Sequence, residues 1–380
     1  MRRALLAVAI LAIAGAAAWG LLDSTRRGQT IVRELPPAAR DEASIGAATG
    51  AWYELLFTSP SFAEGPAARH NSIEKRLVAM MDQAERTLDV AVYEFDLPSV
   101  ADAMARSARR GVQVRMVTDS DTLKDTGHAA TQKAIETLQS AGVPIVDDNR
   151  RPIMHNKFTI ADGEWVETGS WNYTMSDTFR NNNDAIFVHS RDLAANFEAE
   201  FAKMFDQRKF GTAKSAGVPH PSLSIAGAHV ENYFSPEDKP ATHVIRWIGS
   251  ARQQIHFMAF SFTHDGIGDA MLERARAGVS VGGVFEAEDS ETRASEFPRM
   301  KEAGLDVLQD GNPWRMHHKV IIIDEHVSLF GSFNFSASAN RANDENLLVV
   351  DDPGLASALE AEYQRVRATA ISPPSRRAGS

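Results

Sequence analysis

Apolar positions recur in two parallel sets along the chain. Residues 88–95 form a near-continuous apolar run, and residues 255–262 form another. Residues 112–118 and 279–285 repeat the pattern further on. Helical periodicity covers 73–86, 99–110 and 130–140 in the first set, and 243–253, 267–277 and 293–303 in the second. Strands that alternate with helices, with little polar interruption, predict an α/β architecture whose sheets are covered on both faces.

The two sets are an internal repeat. Phe57-Thr58-Ser59-Pro60 returns as Phe234-Ser235-Pro236, and Val100-Ala101-Asp102-Ala103-Met104 returns as Ile267-Gly268-Asp269-Ala270-Met271. From Leu88 to Val114 the offset is a constant 167 residues, and it falls to 162 further on. The boundaries read as repeat 1 over 45–210, a Gly/Ala/Ser/Pro-rich linker over 211–228, repeat 2 over 229–370 and a loose tail over 371–380.

Composition narrows the chemistry. The 380 residues include no cysteine, which excludes disulfides, thiolate metal sites and cysteine nucleophiles. The net charge of -10 speaks against a general nucleic-acid-binding surface, though not against a local basic cleft. Arg2 and Arg3 precede an uncharged, alanine-rich stretch over 4–22. This is the pattern of an export signal, and as a helix it spans about 28 Å, enough for a membrane anchor. Residues 1–22 are thus expected to be a signal peptide or an anchor, and 23–44 a tether. The protein is expected outside the cytoplasm, periplasmic or secreted, or held at the membrane.

The candidate chemistry lies in two matching segments. One reads Met154-His155-Asn156-Lys157, then Asp162, then Gly169-Ser170-Trp171-Asn172. The other reads Met316-His317-His318-Lys319, then Asp324, then Gly331-Ser332-Phe333-Asn334. Side chains two apart on a strand share a face. His155 therefore lies with Lys157, and His317 with Lys319. Ser170 and Asn172 share a face, as do Ser332 and Asn334. An imidazole beside an ammonium suits a phosphodiester. One imidazole attacks phosphorus, donors neutralise the equatorial oxygens, and the other imidazole protonates the leaving oxygen. No metal or other cofactor is required.

These segments resemble the phospholipase D superfamily, in its bacterial form with two His-Lys-Asp motifs in one chain. The resemblance runs from Trp52 to about Arg367. It implies two tandem repeats of the phospholipase D fold, mixed sheets flanked by helices, related by a pseudo-two-fold axis with one active site at the interface. It implies His155 as nucleophile, His317 as general acid and base, and Asp162 and Asp324 as supports. A single chain then suffices, so a monomer is expected. Ser170, Asn172, Ser332 and Asn334 are expected to bind substrate.

Family members hold the catalytic imidazole with an acid downstream of the motif. Glu345 stands 28 residues after His317, whereas the same distance after His155 lands on Asn183, with Asp184 adjacent. The expectation is that Glu345 holds His317 and favours its charged form, while His155 stays neutral. His318 alternates to the opposite face from His317 and reads as packing. Trp171, Trp314 and Phe335 fit either a groove wall or the core. Arg315 fits either a phosphate contact or a solvent-facing side chain. Glu94 fits either the cleft mouth or a turn. Targeting and acidic charge favour a phospholipid substrate of the phosphatidylcholine type, cleaved to phosphatidic acid and head-group alcohol at a membrane surface. The alternative is an exported, metal-independent nuclease acting on nucleic acid.

Overall fold

A computed structural model describes residues 47–60, 72–124 and 127–374. The signal or anchor segment, the tether and the end of the tail lie outside the described residues. Among the described residues no helix is long and apolar enough to cross a membrane.

Repeat 1 contributes β1 (Ala47–Thr49), β2 (Tyr53–Phe57), β3 (Thr87–Val92), β4 (Gln113–Thr118), β5 (Ile145–Asp147), β6 (Lys157–Ala161), β7 (Trp165–Gly169) and β8 (Asp184–His189). They form an eight-stranded mixed sheet in the order β1-β2-β8-β7-β6-β3-β4-β5. Repeat 2 contributes β9 (Ser222–Ile225), β10 (Ala228–Ser235), β11 (Gln254–Ala259), β12 (Ser280–Phe285), β13 (Asp306–Gln309), β14 (Lys319–Ile323), β15 (Val327–Gly331) and β16 (Glu345–Asp351). Read from the other edge, their order is the same. In each sheet the βαβ segment is parallel and the remaining pairs are antiparallel.

The motif strands β6 and β14 are buried at every position, and Lys157, Thr159 and Lys319 are the polar side chains among their apolar ones. The outer faces are covered by α1 (Ser72–Gln83), α2 (Pro98–Arg109), α3 (Ser120–Lys124) and α4 (Ala129–Ser140) in repeat 1. The short α5 (Met175–Phe179) follows β7. Between the sheets lie α6 (Arg191–Phe205) and the C-terminal helix described below, in a core shared by both repeats. Repeat 2 carries α7 (Pro240–Ser250), α8 (Asp265–Arg276), α9 (Phe297–Glu302), α10 (Ala337–Arg341) and α11 (Pro353–Ile371). The helix expected over 293–303 begins only at Phe297. Pro298 fits only a first turn, where it removes no helical hydrogen bond.

The segment between the repeats does more than connect them. It supplies β9, which pairs with β10 at the sheet edge. It also drives Lys214 into a fully buried cluster, where its Nζ meets Glu200, Glu237 at 3.1 Å and Asp344 at 2.8 Å. The three carboxylates offset the cost of taking this ammonium out of water.

Two features of the backbone prepare the site. A Cβ on Gly169 would stand 2.2 Å from the Asp184 carbonyl oxygen, and one on Gly331 would stand 2.6 Å from that of Asn346. Only glycine permits this approach, which brings Ser170 and Ser332 against the start of the neighbouring strand. At the opposite ends of β6 and β14, Asp162 and Asp324 take left-handed conformations (φ 57° and 52°) in tight hairpin turns.

Candidate active site

Each motif histidine is set by contacts with the other repeat. The Met154 amide donates to Asp119 Oδ2 at 2.9 Å, and the Met316 amide donates to Glu286 Oε2 at 2.6 Å. The next amide in each copy crosses over. His155 N–H donates to the Asp344 carbonyl and His317 N–H to the Asn182 carbonyl, both at 2.9 Å. Asp344 N–H returns to Ile153 at 3.0 Å, and Asn182 N–H returns to Arg315 at 2.9 Å. Two short interrepeat bridges thus bring both histidines into one cleft, 5% and 6% exposed.

The crossover also decides the imidazole partners. His155 donates Nδ1–H to Glu345 Oε2 at 2.6 Å. His317 donates Nδ1–H to Asn183 Oδ1 at 2.9 Å. The expected pairing of Glu345 with His317 is therefore corrected: the bridge sets residue 345 beside the histidine of the other repeat. Asp184 does not replace the missing acid at position 183. It accepts from His318 Nδ1 at 2.7 Å instead. Glu362 accepts from His318 Nε2 at 2.9 Å, so His318 lies between two carboxylates. Burial opposes its charge, but the two acids prevail and raise it above the usual imidazole value. His318 is a buried structural link between Asp184 and Glu362, on the face away from the cleft.

Burial pulls the His155 imidazole down to about 4, against the pull of Glu345 and with help from Lys157 and Lys319. Burial likewise takes His317 well below its ordinary value, and Lys319, Lys157, His155 and His318 add to the effect. The expected contrast, a charged His317 and a neutral His155, is thus absent from the empty cleft: both rings are held neutral. Burial would raise the Glu345 carboxyl, yet His155, Lys157 and the Ser332 hydroxyl hold it below the usual range. With Nδ1 engaged as donor, each ring keeps an unprotonated Nε2.

The lysines follow the same plan in both copies. Lys157 Nζ donates to the His155 carbonyl at 2.7 Å, and Lys319 Nζ donates to the His317 carbonyl at 2.6 Å. Burial lowers Lys157 to about 8, against Glu345, Asp177 and Glu94. Burial and the nearby Lys157 lower Lys319 to about 7. Tyr93 and Phe260 take matching places, their rings 5.0 Å from His155 and 4.6 Å from His317. They also lie under Lys157 and Lys319, at 5.2 and 4.8 Å.

A family model described as "Cardiolipin synthase, PLD-like domain" matches residues 77–205 and 244–367, more than half of the chain and one segment in each repeat. The chain belongs to the phospholipase D superfamily. It is a phosphoric diester hydrolase of that superfamily. It is 28% identical over 199 residues to a mitochondrial cardiolipin hydrolase of Chlamydomonas reinhardtii, covering 46% of this chain and 89% of that protein. It is 27% identical over 157 residues to a phospholipase D of Rickettsia prowazekii, covering 41% of this chain and 76% of that one. The crystal structure of phosphatidylserine synthase from Haemophilus influenzae has the same fold. Its TM-score is 0.61 at 13% identity, covering 84% of this chain and 87% of that one.

The superfamily motif is wider than the cleft it builds. Asp162 accepts the amides of Glu85, Arg86 and Thr87 at 2.9, 2.7 and 3.0 Å. Asp324 accepts those of Arg252, Gln253 and Gln254 at 2.9, 2.8 and 2.9 Å. Both stand one strand length from the lysines, roughly 16 Å for five residues. They belong to the fold, as the resemblance implied, and stand apart from the motif histidines and lysines. The expected substrate contact of Ser170 and Ser332 is corrected. Ser170 Oγ lies 2.9 Å from Asn183 Oδ1, and Ser332 Oγ donates to Glu345 Oε2 at 2.9 Å. Their hydroxyls are taken up by the imidazole partners. Asn172 is buried, its Oδ1 3.4 Å from the Glu94 amide. Asn334 Oδ1 is buried without a hydrogen-bond partner among the described residues.

Beside His317 opens a cavity of ≈ 330 Å³ lined by Glu94, Asp177, Arg180, Trp314 and Arg315, among others. Glu94, Trp314 and Arg315 thus line this cavity, whereas Trp171 and Phe335 are fully buried core. Tyr93 with Phe260, and Asp119 with Glu286, were missed in the sequence. Each pair stands at the 167-residue offset, and that coincidence was the available signal. Asp177 has no counterpart acid in the second copy and left no such signal.

Proposed function

We propose that this enzyme hydrolyses a phospholipid, of the phosphatidylcholine type, to phosphatidic acid and a head-group alcohol through a phosphohistidine. His155 Nε2 attacks phosphorus. The bond to the head-group oxygen breaks, and His317, protonated in the bound complex, gives its Nε2 proton to that oxygen. His317 then takes a proton from water, hydroxide attacks phosphorus, and the P–N bond breaks to free His155. Lys157, Lys319 and Asn334 neutralise the equatorial oxygens, so the reaction runs without a metal. The arriving diester anion restores the lysine charges that burial depresses, and it favours a charged His317 for the same reason.

The observation that carries this reading is the shared cleft: two imidazoles, each with Nδ1 tied down and Nε2 open, beside two buried ammoniums. A phosphorylated imidazole is cationic, and Glu345 lies against the ring assigned that charge. The cavity beside His317 receives the leaving group. The names of the cardiolipin hydrolase and phospholipase D relatives support a lipid substrate. We also propose that residues 1–22 bring the chain to the membrane, and that it acts as a monomer.

Nucleic acid is the second reading. Arg180 lies over Trp314 at 5.8 Å, with Arg315 beside them, and basic side chains interleaved with an aromatic ring suit single strands. Residues 23–380, with EDTA present, should release head group from phosphatidylcholine or cardiolipin vesicles and leave plasmid DNA intact. Nicking without lipid turnover, weakening steeply with salt, would reverse the choice.

A further inference from the structure

The two imidazoles are not served alike. His155 has the Glu345 carboxylate, but at the equivalent place His317 has the neutral Asn183. An amide oxygen orients an imidazole and does nothing to offset its positive charge. A carboxylate nevertheless stands at hand. Asp177 Oδ2 is 3.8 Å from the same His317 Nδ1, and Asp177 is 3% exposed.

The second repeat shows what is unusual about it. The residue 162 positions beyond Asp177 is Ala339, and the residue 162 beyond Asn183 is Glu345. Each repeat thus carries one acid near the opposing histidine, six residues earlier in repeat 1. The supporting amide is the same in both. Asn343 donates Nδ2–H to Glu345 Oε1 at 3.3 Å, and its counterpart Asn181 donates Nδ2–H to Asp177 Oδ1 at 2.5 Å. The Asn172 backbone N–H donates to the other oxygen, Asp177 Oδ2, at 3.0 Å. Asn183 donates Nδ2–H to the Asp177 carbonyl at 3.1 Å, which turns its own oxygen toward His317.

The helix turn does not need this acid. Thr174 caps α5 by accepting from the Asp177 amide at 3.1 Å, and Ser336 caps α10 by accepting from the Ala339 amide at 3.2 Å. The same turn forms with alanine in place of the carboxylate.

We propose that Asp177 is the positioning carboxylate of His317, sustaining its protonated form while Asn183 fixes its tautomer. This rests on His317 as the acid of the reaction. The groups facing the ring are Lys319, Lys157, His155 and His318, which all disfavour its charge. Asp177 is the acid set against them, closest of the carboxylates to Nδ1 among the described contacts.

The test uses two lipids that differ only in leaving group, phosphatidylcholine and phosphatidyl-p-nitrophenol. Choline oxygen must be protonated to leave; p-nitrophenolate need not be. Asp177→Asn should slow choline release by about 100-fold, a typical general-acid effect, and p-nitrophenol release by under about 3-fold. Adding Asn183→Asp should recover choline release, because charge returns to the place Glu345 holds at the other ring. Equal slowing of both substrates, or no slowing, overturns the proposal. A readout independent of the substrate is the imidazole nitrogen titration by NMR in phosphate-saturated protein. His317 should titrate about one pH unit lower in Asp177→Asn, with His155 nearly unmoved. An unmoved His317 also overturns it. Failure of the wild type on both lipids would instead sink the lipid reading, and the titration would still decide the role of Asp177.

Discussion

His155 donates its Nδ1 proton to Glu345, 2.6 Å away across the boundary between the repeats. The residue proposed to attack phosphorus is thus completed by the half that does not carry it. The crossing also changes the reason for the assignment of roles. The proposal of His155 as nucleophile now rests on the carboxylate beside its ring, which would offset the charge of a phosphohistidine, and not on the lack of a partner.

Glu345→Gln should therefore strike the nucleophile. An amide can present the wrong group to Nδ1 and cannot offset the intermediate's charge. A fall in kcat of roughly 10²–10⁴-fold is expected, as when the acid of a His–Asp pair becomes an amide. Choline release and circular dichroism, measured on the same preparation, check it. A variant folded and within about threefold of wild type would count against the pairing.

Roles can be read from the trapped intermediate. His155→Ala and His317→Ala should each abolish hydrolysis of phosphatidylcholine. With phosphatidyl-p-nitrophenol, His317→Ala should still form the adduct and release nitrophenol once, then stall for want of a base to activate water. Alkaline quenching and mass spectrometry should place the phosphatidyl group on His155. An adduct on His317 would exchange the two roles.

Asp162→Ala and Asp324→Ala should damage the fold and spare the chemistry. Each carboxylate accepts three backbone amides, and its loss should cost about 1–3 kcal/mol. Thermal unfolding should shift down by several degrees, while kcat/KM per folded molecule stays within about threefold. Loss of activity at full stability would restore these residues to the catalytic group.

Repeat 1 also buries a polar triad that repeat 2 replaces with carbon. Tyr173 donates to Glu167 Oε2 at 2.5 Å and lies 2.7 Å from the Thr159 hydroxyl. The residues 162 further on are Phe335, Leu329 and Ile321. Burial pushes Glu167 up to about 8, opposed only by the Tyr173 hydroxyl. Its folded value lies above its unfolded one of 4.5. Its contribution to stability is then complete below that pH and is lost as pH rises through about 8. Thr159→Ile, Glu167→Leu and Tyr173→Phe together should flatten the fall in melting temperature between those limits. An unchanged slope would place the proton elsewhere.

Much of this protein was legible in its sequence. Apolar periodicity located the core strands and most helices to within a few residues, because burial on both faces leaves little freedom of composition. The 162-residue offset aligned His155 with His317 and Lys157 with Lys319, and strand alternation turned His318 away from them. Those are local relations, set by spacing along one strand. Partners across the site were not legible. Glu345 was expected at His317, in its own repeat, and meets His155 because the bridges Met154–Asp344 and Asn182–Met316 interlock the halves. Asp177 reached His317 by the same route. Sequence alone determined which groups the cleft would hold. Which acid serves which imidazole was decided by tertiary structure, since that depends on how two repeats dock, and docking is a property of their surfaces together.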